Sequence, residues 1–290
     1  MPPPGGYSYQ ASVKSGVSDE LINTYALRPA AGLLVRLLYR TSVTPNHVTI
    51  VSTFVGLVAA ALYLANSEGT TIAAGLCITA KDILDSADGQ LARAKSMYSR
   101  IGRFLDSIGD FIVNLAVFGA IGLVLTKNHG TATFWLLALA GFLGISLRVS
   151  YHVFYQTAFL HLEESYATNR LTEEIREEDF RGDPRVLMLQ RVFRIFYGWQ
   201  DALILRIDRW SRGTEAFSGE RHRRWHADPV GLRLSGLLGI GTELFLLTLC
   251  SLAGNLEGYL WMNLLVMNGV WGLTVMYRRV VLRSRVFGAR

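Results

Sequence analysis

The chain has 290 residues, and a hydrophobic fraction of 50% with a mean hydropathy of +0.27 is high for a soluble domain of this length. The formal net charge of +6 comes from cations that flank apolar runs, so the expected partners are anionic lipid and phosphate-bearing ligands, and not nucleic acid. Cys77 and Cys250 lie far apart within apolar runs, which argues against a disulfide framework or a zinc site.

The first predicted element is an amphipathic helix within residues 18–40. Four leucines share one helical face while Arg36 and Arg40 project elsewhere. They are Leu33, Leu34, Leu37 and Leu38. This pattern is typical of a helix that lies in the headgroup plane of a bilayer. Residues 1–43 are therefore predicted to form a cytoplasmic N-terminal segment that carries this juxtamembrane helix.

Six windows that are long enough to cross a bilayer follow along the chain. They lie near residues 48–66, 70–92, 104–126, 132–154, 229–251 and 257–277. The second window begins with an apolar stretch at Thr71 but becomes charged between Lys81 and Arg93. Hydropathy alone would therefore shorten this helix and leave its crossing in question.

The distribution of Lys and Arg decides whether the second window crosses. The connections at 67–70 and 252–256 contain neither residue, and 127–131 contains only Lys127. The connections at 93–103 and 155–228 and the tail at 279–290 are rich in Arg. Positive and neutral connections alternate only if residues 70–92 span the membrane. We expect an all-α integral membrane protein with six transmembrane helices, both termini cytoplasmic, and one domain over residues 44–278.

The long connection at 155–228 is predicted to be cytoplasmic and to contain two pieces. Residues 186–210 repeat the amphipathic pattern of the N-terminal helix, which predicts a second interfacial helix. The acidic stretch from Glu163 to Asp183 is predicted to be a solvated helix or loop.

One ordered set of polar residues lies between Asp85 and Asp110. On helices, Asp85 and Asp88 are three residues apart and Asp106 and Asp110 are four apart, so each pair projects from one face. The polar stretch from Arg93 to Arg103 can turn at the cytoplasmic surface. The two helices would then run antiparallel and bring both pairs to a similar depth.

Four converging carboxylates in a low dielectric require a compensating cation. Carboxylate oxygens suit Mg²⁺ or Mn²⁺, and a site for two such ions is a common means of clamping a transferring phosphoryl group. Gly89 and Gly102 would let the backbone approach a bulky ligand, and Arg93 could contact phosphate oxygens.

These residues match the signature D-x2-D-G-x2-A-R-x8-G-x3-D-x3-D at every fixed position, and the chain thereby resembles the CDP-alcohol phosphotransferase family. The segment from Thr44 to Thr49 is similar to the one that opens the first membrane helix of that family. The resemblance in detail covers about 70 residues (44–110). It implies an enzyme that cleaves a CDP-alcohol, releases CMP, and transfers the phosphoryl-alcohol portion to an acceptor hydroxyl.

The resemblance also implies roles for individual residues. The metal ligands would be Asp85, Asp88, Asp106 and Asp110, of which Asp110 would also act as general base, with Asp106 part of the catalytic pair. The cytidine diphosphate pocket would be lined by Gly89, Ala92, Arg93 and Gly102, with Asn46 and Thr49 as further candidates. Homodimers recur in the family, so a homodimer is a further expectation.

Several readings stay open at the level of sequence. CDP-diacylglycerol with a small alcohol or alcohol phosphate is the expected substrate pair in phospholipid synthesis. The alternatives are transfer from a CDP-aminoalcohol to diacylglycerol, synthesis of a polyol phosphodiester, and an ion or proton transporter. Asp82 could belong to the site. Alternatively, the charges around it could form only a local ion pair, since Lys81 is positioned to pair with Asp85.

Three charged residues outside the signature are also left with two readings. Glu243 could contact the acceptor or bond to a neighbouring helix. Arg148 and Arg233 could hold an acceptor phosphate or extend to the membrane surface. Asn263 and Asn268 are predicted to form hydrogen bonds between helices.

Overall fold

The computed structural model describes residues 7–12, 19–163, 170–215 and 217–288, and these residues form helices and no strand. The helices are α1 (Tyr9–Ser12), α2 (Arg28–Leu38), α3 (Pro45–Leu64), α4 (Glu68–Ala94), α5 (Arg100–His129), α6 (Thr133–Leu162), α7 (Pro184–Arg212), α8 (Gly219–His226), α9 (Pro229–Gly236), α10 (Ile240–Leu252) and α11 (Leu256–Phe287). A π-helical turn, Asn23–Leu27, precedes α2, and two more lie within α11 at Met262–Met267 and Tyr277–Leu282. The predicted all-α class is confirmed.

Polar residues cap the N-termini of α3, α4 and α5. Thr44 caps α3 by accepting a hydrogen bond from the His47 backbone, and Pro45 occupies the first helical position. Ser67 caps α4 in the same way, and Ser99 caps α5 by accepting from the Gly102 backbone at 2.9 Å. The α4–α5 connection is therefore only residues 95–99, a tighter turn than the predicted stretch from Arg93 to Arg103.

Five helical stretches of the described chain are long and apolar enough to cross a membrane. They are α3, α5, α6, the consecutive helices α8 to α10 (Gly219–Leu252), and α11. Helix α4 is one continuous helix of 27 residues through its charged half, about 40 Å at 1.5 Å per residue. The protein is an all-α integral membrane protein, while the count of six spans remains a prediction.

Three short turns lie together at one end of the bundle. Asn66, after α3, exchanges two hydrogen bonds with Asn128 near the end of α5, at 2.8 and 3.0 Å. His129 lies 3.6 Å from Glu257, at the start of α11. The turn between α4 and α5 lies at the other end, where Lys95 donates to the backbone carbonyls of the loop before α3.

Small residues bring α3 and α5 into close contact. A methyl group at Gly56 would lie 2.5 Å from Val113, and one at Gly109 would overlap Thr53. Helix α4 packs on α3 as well, and on α10, with Ala74 and Ile78 in the same buried cluster. This packing directs the polar faces of α4 and α5 toward each other.

The two predicted amphipathic helices are present as α2 and α7. Ala31 and Val35 of α2 pack on Ala87 and Leu91 of α4, whereas Leu33 is exposed. On α7, Phe193 packs against Phe104, and Phe196 stacks on Phe111 of α5. Ile195 and Trp199 of α7 are exposed. The location of both helices in the headgroup plane remains a prediction.

The prediction of a solvated acidic stretch from Glu163 to Asp183 is wrong for two of its carboxylates. Glu173 and Asp179 are buried and form ion pairs with Arg100 of α5, at 3.0 and 2.8 Å. Arg103 also pairs with Glu173. These pairs dock the segment from 170 to 183 onto the start of α5, a contact that local composition does not reveal. Residues 164–169 lie outside the described part of this stretch.

Candidate active site

Three of the four signature aspartates converge between α4 and α5. Carboxylate oxygens of Asp85, Asp88 and Asp106 all lie within 4.8 Å of one another. Helical spacing places Asp85 and Asp88 on one face of α4, and the short turn at 95–99 brings Asp106 opposite them. The predicted convergence of the two helices is confirmed for these three residues.

The three carboxylates fit a hard divalent cation. One oxygen of Asp106 is buried and has no hydrogen-bond partner within the described chain, an arrangement that is costly unless another ligand satisfies it. Thr49 of α3 donates a hydrogen bond to Asp88, and Ser52 donates to Asp85 at 3.3 Å. These hydroxyls orient the carboxylates and leave other oxygens for a metal, as the outer-shell partners of metal ligands do.

The fourth aspartate has a different partner. Asp110 forms an ion pair with the Lys81 ammonium, whose Nζ also lies 3.3 Å from an oxygen of Asp85. The predicted pair between Lys81 and Asp85 is therefore present. Asp82 is buried beside them and faces the adjacent cavity.

A cavity of about 390 Å³ opens onto the aspartates. Its walls are formed by α4, α5, α6 and α7 and by the segments 19–28 and 170–173. All four signature aspartates line this cavity, together with Gly89 and Arg93. Arg93 also donates to the backbone carbonyl of Ser12 in α1.

The other predicted pocket residues lie beside the cavity. A methyl group at Gly102 would lie 2.7 Å from Asn46 Oδ1, so these two residues are in direct contact. Thr49 reaches the site through Asp88. Ala92 is half-buried on α4 and is not among the residues that line the described cavity.

Several cavity residues were missed at the level of sequence. Glu20 is buried, accepts hydrogen bonds from Thr242 of α10, and has its pKa raised to about 8 by burial. Asp201 and Tyr197 of α7 face the same space, and burial raises the pKa of Asp201 to about 6. Only the polar positions on an otherwise apolar face of α7 could have indicated the latter two.

The polar residues of the later spans form a separate buried network. Arg148 pairs with Glu243 at 2.5 Å and donates to Asn268 at 2.6 Å, and Asn263 donates to Glu243 at 3.0 Å. Glu243 thus bonds to neighbouring helices, and the prediction for Asn263 and Asn268 is confirmed. Arg148 is fully buried and does not reach the membrane surface, whereas Arg233 is exposed; neither lines the described cavity.

One comparison with known protein families matches the part of the chain that contains the four signature aspartates. Residues 42–163 match the family model described as CDP-alcohol phosphatidyltransferase. Two relatives, each a "Bifunctional IPC transferase and DIPP synthase", come from Aquifex aeolicus (29% identity over 56% of this chain and 35% of that protein) and Thermococcus kodakarensis (32% over 47% and 29%). An "Archaetidylinositol phosphate synthase" of Pyrococcus horikoshii is 37% identical over 28% of this chain and 42% of that protein. The matches span less than half of each relative.

Proposed function

Because residues 42–163 match the model of the CDP-alcohol phosphatidyltransferase family, we propose that the chain moves a substituted phosphoryl group from a CDP-alcohol to an alcohol hydroxyl and releases CMP. The observation that carries this proposal is the convergence of Asp85, Asp88 and Asp106 within 4.8 Å at the wall of a cavity. A transporter would need acidic residues as well, but it would not need Gly89 and Arg93 at fixed offsets on the same wall.

The carboxylates of Asp85, Asp88 and Asp106 would hold Mg²⁺ or Mn²⁺, since both ions prefer oxygen ligands. When bound, such an ion neutralises a diphosphate and stabilises a departing phosphate group. The sequence leads us to expect two ions. The described geometry accounts for one, on these three residues, and leaves Asp110 paired with Lys81.

The remaining signature residues would bind the nucleotide portion of the donor. Arg93 lines the cavity and can donate two parallel hydrogen bonds to phosphate oxygens if it releases the Ser12 carbonyl. At Gly89 no side chain stands between the α4 backbone and the cavity, so a phosphate can approach closely. Gly102 and Asn46 form the adjoining contact and are proposed to hold the cytidine, with Ala92 and Thr49 beside them.

Asp110 is proposed as the general base. It lines the cavity next to the three converged carboxylates, so an acceptor hydroxyl that enters can donate a hydrogen bond to it. The proton of the hydroxyl would pass to the Asp110 carboxylate as the oxygen attacks the phosphorus. The buried walls on α6 and α7 would keep bulk water away from the same phosphorus atom.

The expected donor is CDP-diacylglycerol and the expected acceptor is a small polar alcohol or its phosphate. The name of the Pyrococcus relative, an archaetidylinositol phosphate synthase, supports keeping a phosphorylated alcohol among the acceptors. Arg103 and Arg170 also line the described cavity, but each already pairs with an acid, Glu173 or Asp179. The names of the two bifunctional relatives keep a polyol phosphodiester as the second candidate product.

The orientation and assembly of the chain belong to the same proposal. The site lies at the end of the bundle opposite the turns at Asn66 and Gly254, and the basic connections surround it. We place that end in the cytoplasm because of the positive-inside rule. A homodimer, as the family resemblance implies, would give twice the chain mass in detergent-corrected light scattering.

A substrate panel tests the proposed function. The purified protein would be incubated with Mg²⁺ and CDP-diacylglycerol plus inositol phosphate, glycerol phosphate, serine or inositol, and separately with CDP-choline plus diacylglycerol. We expect CMP release that requires one particular donor and acceptor together. Metal-independent ion flux in liposomes, without CMP release from any pair, would favour the transporter instead.

A further inference from the structure

Lys81 is a buried cation that the family signature does not contain. Its side chain is 2% exposed, and its ammonium lies between carboxylates of Asp85 on its own helix and Asp110 on α5. It is not among the residues that line the described cavity. The ammonium therefore lies behind the carboxylates that an entering ligand meets first.

The surroundings hold Lys81 in this position. Ser52 of α3 donates to the Lys81 carbonyl at 3.0 Å and to Asp85, which fixes the backbone and one of the two ion partners. Helix α3 packs against both α4 and α5, the two helices that carry Lys81 and Asp110. A buried ammonium is costly to leave without anionic partners, so withdrawal from Asp85 and Asp110 would be unfavourable.

This arrangement separates the four carboxylates into a set of three and a single ion-paired one. Asp85, Asp88 and Asp106 form the compact set in which one oxygen from each lies close to the others. Asp110 is outside that set and belongs to Lys81. A second divalent ion between Asp85 and Asp110 would need the oxygens that the ammonium already contacts, and it would be repelled by the ammonium itself.

We propose that Lys81 takes the place of a second metal ion, so that the site holds a single divalent cation on Asp85, Asp88 and Asp106. This proposal rests on the proposed function in that it assumes these carboxylates to be the metal site. Lys81 is a positioning residue. It holds Asp110 beside the metal set with its carboxylate directed at the cavity, while the single ion and Arg93 meet the diphosphate.

Manganese binding tests the proposal without any catalytic measurement. The purified full-length protein would be titrated with Mn²⁺, and bound ions would be counted by equilibrium dialysis with electron paramagnetic resonance of the bound fraction. We expect one Mn²⁺ per chain with the spectrum of an isolated ion. Two ions roughly 3.5–4 Å apart, the spacing of two-metal sites, would be magnetically coupled. Two coupled ions in the unaltered protein would overturn the proposal.

Three variants sharpen the test. In Lys81→Met, which removes the charge but keeps a chain of similar length, we expect a rise from one to two bound Mn²⁺ with a coupled spectrum. In Lys81→Arg, which keeps the charge, and in Lys127→Met, an exposed lysine at the far end of α5, we expect one ion. A folded Lys81→Met protein that still binds one ion would contradict the proposal. If Lys81→Met does not fold, the number of Mn²⁺ ions bound by the unaltered protein and by Lys81→Arg tests the proposal.

The outcome is separable from that of the proposed function. One ion in the unaltered protein and two in Lys81→Met, without CMP release from any substrate pair, would leave the role of Lys81 standing and remove the transferase. CMP release by a protein that holds two coupled ions would support the transferase and remove the proposed role of Lys81.

Discussion

Asp85, Asp88, Asp106 and Asp110 differ in their immediate partners. Thr49 and Ser52 orient Asp88 and Asp85, and one oxygen of Asp106 is left without a partner in the described chain. Asp110 forms an ion pair with Lys81 and lies outside the compact set of three. These contacts support the proposed roles, in which Asp85, Asp88 and Asp106 bind metal and Asp110 accepts the proton of the acceptor hydroxyl.

Asp110→Asn tests these proposed roles. The amide cannot take up a proton as the carboxylate does, so we expect kcat for CMP release to fall by roughly 10²–10⁴-fold, the usual contribution of a general base. Mn²⁺ binding should persist, because Asp85, Asp88 and Asp106 remain. Near-normal turnover would remove the general-base assignment, and loss of the bound Mn²⁺ would show that Asp110 is a metal ligand.

Contacts within one helix or between adjacent motif helices could be predicted from the sequence, whereas distant pairings could not. The spacing of Asp85 and Asp88 on a helix follows from the helical repeat, and so does the pair of Lys81 with Asp85. The pair of Arg148 with Glu243 joins residues 95 positions apart. Which helices pack side by side determines such a pair, and single-sequence patterns do not contain that information.

Helix α4 shows what local patterns can and cannot establish for an element. Because its second half is charged, a hydropathy criterion does not identify it as a membrane span. The alternation of basic connections nevertheless indicates a complete crossing, and the structure has one helix from Glu68 to Ala94. The segment from 170 to 183 shows the opposite case. Its acidic composition suggests solvation, and its burial depends on Arg100 and Arg103 of another helix.

The docking of this segment gives a stability prediction. Asp179→Ala would remove an almost fully buried carboxylate that pairs with Arg170 and Arg100. We expect this to lower the free energy of unfolding by about 1–3 kcal/mol. The matched control is Glu178→Ala, since the Glu178 side chain is 65% exposed and a pair of this kind contributes about 0–1 kcal/mol. Thermal unfolding in detergent at pH 7 measures both. Equal effects would contradict a structural role for Asp179.

The stabilisation by Asp179 should depend on pH in a definite direction. Hydrogen bonds from Arg170 hold the pKa of Asp179 well below its ordinary range. A group whose pKa is depressed on folding stabilises the protein fully above the unfolded pKa, about 3.9, and loses that contribution as the pH falls further. The difference in melting temperature between the unaltered protein and Asp179→Ala should therefore be constant near neutrality and shrink below about pH 4.

At the scale of the whole molecule, the two ends of the bundle differ in character. The turns that contain Asn66, Gly130 and Gly254 are short and carry few cations, and contacts between their neighbours hold them together. The candidate site, the α4–α5 turn, α7 and the basic connections lie toward the other end. This arrangement supports the proposed topology with the site in the cytoplasm.

Cysteine accessibility tests this topology. After replacement of Cys77 and Cys250 by alanine, Thr131→Cys would place a thiol at the neutral end and Met97→Cys one at the end of the site. In intact cells we expect a membrane-impermeant maleimide to label Thr131→Cys at once and Met97→Cys only after permeabilisation. Labelling of both positions from the same side would contradict the crossing of α5, and the reversed pattern would place the site outside.

The central claim is that Asp85, Asp88 and Asp106 form a divalent metal site for transfer from a CDP-alcohol. Its most direct test is CMP release from CDP-diacylglycerol, with an acceptor, as a function of added Mg²⁺ or Mn²⁺. We predict saturable activation that EDTA abolishes, that is lost in Asp106→Ala, and that is unchanged in Glu68→Ala, a control at an exposed acid on the same helix as Asp85 and Asp88. CMP release that is indifferent to EDTA, or that survives in Asp106→Ala, would contradict the claim.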